Sequence, residues 1–590
     1  MRDWAAITDT SALFPYDPQH RRLDAPDPAT AQALWPLRTD LGNRATFNKR
    51  TYFEEGRPWW EWHQLPRDEG ASEMTITWGE VATHNHFVLD RGGKVFKQTA
   101  PIIKLPAGAT ENEHLALLGV LNSSTACFWL KQVCFDKGNG GIGGGISDEA
   151  WEHRFAFNGT KVETLPLPGK MPLGRARSLD ALAQRLAAAA PDAIDGEVPT
   201  RALLDLRAAE DADLRGQMIA LQEELDWECY RLYGVLDEDL TAPPDEVPAL
   251  AQGERAFEIV LARQVQAGEV TTEWFARHRS TPLATVPESW PAAYRAVVEK
   301  RIALIETDRD LALIERPECK RRWQSEPWKE RERQALRTWL LDRLEAPELW
   351  LVDSGAGPQP VVRSVAELAD VLREDRDVLT VLALYTSRPD ADVAGELERL
   401  LTSESVPYLA ALRYSPDGLR KRADWERTWD LQRAEDAGRD VGVIPVPPKY
   451  KDKDFARASF WQARGKLDVP KERFLSYPGG GRDADRTLLL GWAGWGWLQQ
   501  AQALATLIVE RREAAGWGAT KLRPLLAGLA ELEPWVLQWH GEIDPAYAMA
   551  PGEYYRQFLD DTLRETELTR DDLASWRPPA PTRGRPKVST

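Results

Sequence analysis

Cysteine is scarce. The four thiols, Cys127, Cys134, Cys229 and Cys319, lie far apart in a chain of 590 residues. They form neither a CxxC pair nor a disulfide framework, so reduced core thiols are expected. Long apolar runs are also missing, which argues against a membrane-spanning helix. Residues 1–30 are polar and proline-rich, without the apolar core of a signal peptide. A cytoplasmic protein is expected. Positive charge is in deficit: 75 Lys and Arg face 92 Asp and Glu, for a net charge of −17. That excludes a protein coated in basic residues, and it requires any nucleic-acid surface to be local.

What the chain has in excess is tryptophan, 25 residues. Most must serve as core, because exposing an indole is costly. Length sets a prior of about three or four domains. The organising stretch runs from Arg57 to Leu130. It opens on Trp59-Trp60-Glu61-Trp62-His63-Gln64, continues through Thr83-His84-Asn85-His86-Phe87, and closes on Leu121-Asn122-Ser123-Ser124. The expected fold class is α+β, a mixed α/β domain followed by mainly α-helical domains. Strands are expected at Met74–Trp78 and His86–Leu89, with a turn at Asp90-Arg91-Gly92-Gly93. A single buried helix is expected over Glu113–Val133. Ser178 is a candidate N-cap, and Leu214, Met218, Leu221, Leu225 and Leu232 form one helical stripe ending at Gly234. Between 346 and 440, Leu349–Val352 and Val378–Val381 read as strands.

Several constellations carry chemistry, each beside a plainer reading. The Trp59-Trp60-Trp62 cluster could stack bases or pack a core. His63, His84 and His86 suggest a metal, yet no third ligand at convincing spacing follows, so no metal site is expected. Gly138-Asn139-Gly140-Gly141-Ile142-Gly143 satisfies G-x-G-x-x-G but follows a helix and lacks the strand context that a dinucleotide fingerprint needs. Lys320-Arg321-Arg322-Trp323, Leu419–Trp425 and Lys449–Phe455 interleave basic and aromatic residues. They could contact phosphates or form solvated faces. Near the C-terminus, Arg583-Gly584-Arg585-Pro586-Lys587 resembles an AT-hook, in which arginines enter a narrow minor groove over a side-chain-free glycine.

Taken together, Trp59–Gln64, Ala82–Phe87, Leu118–Ser124, Leu225–Gly234, Lys466–Phe474, Gly491–Trp495 and Trp539–Pro545 resemble the recognition and C-terminal regions of large adenine-specific DNA methyltransferases. The likeness is strongest to the PglX family of BREX phage-defence systems. That resemblance implies an N6-adenine methyltransferase whose motif Asn-Pro-Pro-aromatic holds the flipped base. No such motif occurs here. The nearest strings, Val446-Pro447-Pro448-Lys449 and Arg577-Pro578-Pro579-Ala580, lack both the Asn and the aromatic.

The chain is therefore expected to be the C-terminal half of such an enzyme, catalytically incomplete by itself. No cofactor is expected in it, with S-adenosylmethionine bound by the complete enzyme. The expected domains are a target-recognition domain over 1–170, as the resemblance implies, then a helical spacer over 171–236, a Pro- and acid-rich linker over 237–253, a helical domain over 254–345, an α-rich C-terminal domain over 346–576 and a basic tail over 577–590. Expected DNA contacts are Arg44, Lys49, Arg50, Arg57, Trp59 and Trp60, with Arg583, Arg585 and Lys587 in the tail. Expected partners are double-stranded DNA and either a separately encoded catalytic half or other defence-system subunits. The alternative is an interaction scaffold of a defence complex that does not read DNA.

Overall fold

The computed structural model describes residues 2–6, 11–17, 21–63, 74–97, 99–138, 149–193, 196–323, 326–355, 357–545 and 548–579. The chain divides into two compact units. The first is Met1–Leu23 with Trp62–Ala335, and the second is Asp24–Glu61 with Leu336–Thr590. Helices dominate both, with small sheets set among them, so the α+β class holds. Among the described residues no helix is long and apolar enough to cross a membrane.

In the first unit, the strand Thr75–Trp78 pairs antiparallel with Phe87–Asp90 on one side and with Ile102–Ile103 on the other. Trp78 sits opposite Phe87, their rings 5.0 Å apart. The indole N–H of Trp78 donates to Phe157 O at 2.6 Å. Both long strands are buried throughout.

The single helix expected over Glu113–Val133 is two, Glu111–Leu121 and Ser124–Val133. Polar side chains cause the break. Asn122 bonds both the N–H and the carbonyl of Phe87, and Ser123 accepts from Ala126 N as the N-cap of the second helix. Apolar periodicity runs on through such a break, because both helices face one core. Ser123→Ala should cost about 1–2 kcal/mol of unfolding free energy. An unchanged chemical denaturation midpoint would remove Ser123 from this role.

Ser178 is not an N-cap. The helix Leu173–Ala188 begins five residues earlier, and the Ser178 hydroxyl bonds back to Gly174 O, as serine does inside a helix.

The leucine stripe lies on the helix Arg201–Leu232. Leu214, Met218 and Leu225 are fully buried, while Leu221 and Leu232 are half-buried. Gly234 follows at φ +71°, with its own N–H and that of Val235 closing the last turn. Residues 237–253 run back along this helix. Leu250 N donates to Gly216 O at 3.0 Å, and a Cβ on Gly216 would meet the Ala249 Cβ at 3.0 Å. Glycine permits that approach.

This helix also carries acids into the interior. Lys320, 0 % exposed, has its ammonium 3.1, 3.0 and 2.9 Å from Glu223, Asp226 and Glu315. Arg301 pairs with Glu224 at 2.7 Å, and Arg255 with Glu258 at 2.9 Å. Asp226 also accepts from the backbone and hydroxyl of Ser124.

In the second unit, the four-stranded sheet has the order Ser405–Pro407, Phe474–Ser476, Leu489–Trp492, Arg363–Ser364, with its first pair parallel. The helices Trp497–Glu513, Ala519–Trp539 and Pro551–Thr566 build its core. Val378–Val381 is helical, not a strand. Asp375 caps the helix Arg376–Thr386 by accepting from the N–H groups of Asp377 and Val378, and Val378, Val381 and Leu382 share its buried face. Pro347–Trp350 is likewise a helical turn, with a strand only from Leu351 to Asp353. Residues 24–61 are tied to the helix Pro416–Asp436. Trp35 donates to Asp436 at 2.8 Å, Thr39 to Gln432 at 2.6 Å, and Trp429 to Pro36 O at 2.9 Å.

Candidate nucleic-acid interface

The expected DNA contacts between 44 and 60 all belong to the second unit. Ala45 and Thr51 bridge antiparallel, and the five residues between them make a tight turn. Thr46 N donates to Arg50 O at 2.8 Å, Lys49 N donates to Thr46 O at 3.0 Å, and Lys49 takes φ +60°. A left-handed lysine is held only when its surroundings fix it. Two glutamates do so. Glu55 accepts from the Thr46 hydroxyl at 2.6 Å and the Asn48 amide at 3.2 Å, while Glu54 accepts from Thr51 N at 2.7 Å. The Thr46 hydrogen bond holds the Glu55 carboxyl below its ordinary range. The turn faces water with Phe47, Asn48, Lys49 and Arg50, and Phe47 is 81 % exposed.

Behind the turn, Arg44 and Arg57 have structural partners. Arg44 donates to the carbonyls of Leu41, Trp59 and Glu61 at 2.7–2.9 Å. Arg57 pairs with Glu61, whose hydrogen bond raises the guanidinium's pKa. Both guanidinium groups sit 4.5 Å from the ring centroid of buried Tyr52. Trp60 is buried and Trp59 half-buried. Lys49 and Arg50 are exposed, Arg50 also donating to Glu54 O at 2.7 Å, while Arg44 and Arg57 support the base of the turn. Phe47 was not singled out from sequence. Its signal was an aromatic inside the basic run Arg44–Arg50.

Of the other basic strings, Lys320–Trp323 is internal and Leu419–Trp425 is paired with acids, while Lys449, Lys451 and Lys453 are exposed, with Lys449 3.5 Å from Asp40. Lys320 is buried among acids, as above. Arg420 pairs with Asp417, Lys421 with Asp454, and Arg422 with Glu426 and Asp468. His84 is buried and His86 half-buried, and His86 Nδ1 faces Arg321 Nη1 at 2.8 Å. No group of three or more His, Cys, Asp or Glu among the described residues could hold a metal ion. Residues 139–148 of the glycine loop, and Arg583, Arg585 and Lys587 of the tail, lie outside the described residues.

Comparison with known proteins adds a lineage to this geometry. The chain is 50% identical over 602 aligned residues to the adenine-specific methyltransferase PglX of Streptomyces coelicolor. The match covers 99% of this chain and 49% of that protein, so the chain spans about half the length of its curated relative. No solved structure matches it. Residues 218–587 match the family model described as a domain of unknown function, DUF7008, and the chain belongs to that family.

Proposed function

We propose that this chain is the DNA-recognition and assembly portion, the C-terminal half, of an adenine-specific N6 DNA methyltransferase in BREX phage defence. The identity to a protein named adenine-specific methyltransferase PglX, along nearly the whole chain, carries the reading. S-adenosylmethionine and the Asn-Pro-Pro-aromatic motif then belong to the catalytic portion, consistent with the motif's absence from this sequence. The complete enzyme works in the cytoplasm on double-stranded DNA.

The turn Ala45–Thr51 supplies a means of recognition. A rigid turn places an aromatic where it can stack on or wedge between bases. Asn48 offers a donor and an acceptor to a base edge, and Lys49 and Arg50 reach phosphates. Arg44, Arg57, Trp59 and Trp60 act by holding the turn's base. The tail residues Arg583, Arg585 and Lys587 add affinity with an A·T bias, through minor-groove width and without a major-groove base code.

Competition binding of the full chain to short duplexes at two salt concentrations tests this. Phe47→Ala should weaken binding about tenfold or more, the loss of one stacked base. Lys49→Ala should lower the salt slope by about one. Deletion of residues 581–590 should weaken binding to all sequences, A·T-rich ones most, and lower the salt slope. Unchanged affinity and slope in all three would refute DNA contact at these places. One observation favours the scaffold reading, namely that Arg420, Lys421 and Arg422 are all paired with acids. Binding to defence-system subunits without duplex affinity would establish it.

A further inference from the structure

In the first unit, two consecutive arginines enter the interior with no ion-paired acid among the described residues. Arg321 is 5 % exposed. Its Nη1 lies 2.8 Å from His86 Nδ1 and its Nη2 bonds Asn122 Oδ1, while its Nε, buried, has no partner. Arg322 bonds the Thr83 hydroxyl oxygen and lies 5.3 Å from the Trp151 ring centroid. None of these partners is charged. His84, 1 % exposed, has both ring nitrogens buried and unpartnered. Thr83, His86 and Arg322 are half-buried, so the group reaches the surface.

The hydrogens sort the site by sign. A guanidinium only donates, so His86 Nδ1 accepts and its Nε2 carries the proton. Thr83 Oγ accepts from Arg322 and keeps its own hydrogen free to donate. Arg321 Nε, one nitrogen of His84 and the Thr83 hydroxyl are further donors. The groups around this spot are donors with two full positive charges and, among the described residues, no carboxylate as a hydrogen-bond partner. Unpaired buried charge is costly unless an opposite charge arrives. Burial pushes both guanidinium groups down to about 10 and Arg2 adds to this, although Asp3 and Asp226 oppose it at Arg321 and Glu152 opposes it at Arg322.

We propose that Arg321 and Arg322, with Thr83, His84 and His86, form an oxyanion site for a phosphate group. Arginine suits it, because its fork matches phosphate oxygens. The phosphate comes from a nucleic-acid backbone or is free in solution. The first source deepens the proposed function and rests on it; the second does not.

The test uses the full chain, with inorganic phosphate as probe at constant ionic strength. Phosphate should raise the melting temperature and titrate calorimetrically, where chloride does neither. Arg322→Gln, at the mouth, should weaken phosphate binding by about tenfold or more, the loss of a charge-assisted contact. Thr83→Val gives a second reading if that variant misfolds. No phosphate effect on the wild type, or equal binding by folded variants, would overturn the site. A short duplex then separates the sources. Competition by phosphate, with weaker duplex binding by Arg322→Gln, identifies backbone phosphate. Phosphate binding with duplex affinity unchanged in that variant identifies a free anion, and the site stands. If the wild type binds no duplex, the proposed function fails, while the phosphate titration still decides this site.

Discussion

Lys320→Met should destabilise the first unit by about 3–5 kcal/mol, the range for removing one member of a buried ion pair. Its ammonium is within 3.1 Å of Glu223, Asp226 and Glu315, and all four side chains are at most 3 % exposed. Burial alone would lower the lysine pKa, but Asp226, Glu223 and Glu315 together outweigh it and hold the charge. Methionine fills the volume and leaves three carboxylates without their cation.

One ammonium cannot neutralise three carboxylates, so one acid tends to keep its proton. Glu223 is pushed up to about 7 by burial, opposed by Lys320 and reinforced by Glu315 and Asp226. Its folded pKa exceeds the unfolded value of 4.5. Its contribution to stability is therefore complete below that value and is lost as pH rises through about 7, an upper bound of about 3 kcal/mol. Denaturant unfolding of the wild type should show a falling midpoint from pH 5 to pH 8. The variant should be less stable throughout and should lose stability more steeply. A midpoint within error of wild type at both pH values would contradict this account of the interior.

Gly418→Ala should destabilise the second unit by about 3 kcal/mol, toward the upper end of typical overpacking costs. Propensity alone argues the opposite, since alanine is favoured over glycine in a helix by about 1 kcal/mol. Position decides. Gly418 lies in the first turn of the helix Pro416–Asp436, and a Cβ there would stand 1.9 Å from Asp454 O. That carbonyl is fixed, because it accepts from Ser415 N at 2.9 Å. Relief requires parting the helix from residues 450–455, where Tyr414 stacks on Tyr450 at 5.0 Å and Lys421 pairs with Asp454. Calorimetric melting of the variant would read the loss. A stabilised protein would mean that propensity had won and that the contact is soft.

Much of the architecture was legible in local patterns. The strands near Thr75 and Phe87 followed from β-branched and aromatic runs. The long helix followed from the Leu214–Leu225 stripe, and Gly234 from its place after that helix. What misled was information carried by distant partners. Asn122 breaks an apolar run because it bonds Phe87, 35 residues away in sequence. Val378–Val381 is β-branched yet helical, because Asp375 caps it and its buried face has helical spacing. The string Lys320–Trp323 looks like a solvated basic face, yet its lysine is neutralised by acids from the helix Arg201–Leu232 and from Glu315. At the candidate interface, the basic run marked Lys49 and Arg50. Exposure of Phe47 could be seen only once Glu54 and Glu55 were found bracing the turn.

Selection from a random double-stranded DNA library by the full chain, followed by sequencing of the retained duplexes, tests the central claim most directly. The account predicts enrichment of a discrete adenine-containing sequence that persists as salt is raised, and its loss with Phe47→Ala and Lys49→Ala combined. Recovery of no duplex, or of duplexes without any shared sequence, would contradict a role in DNA recognition.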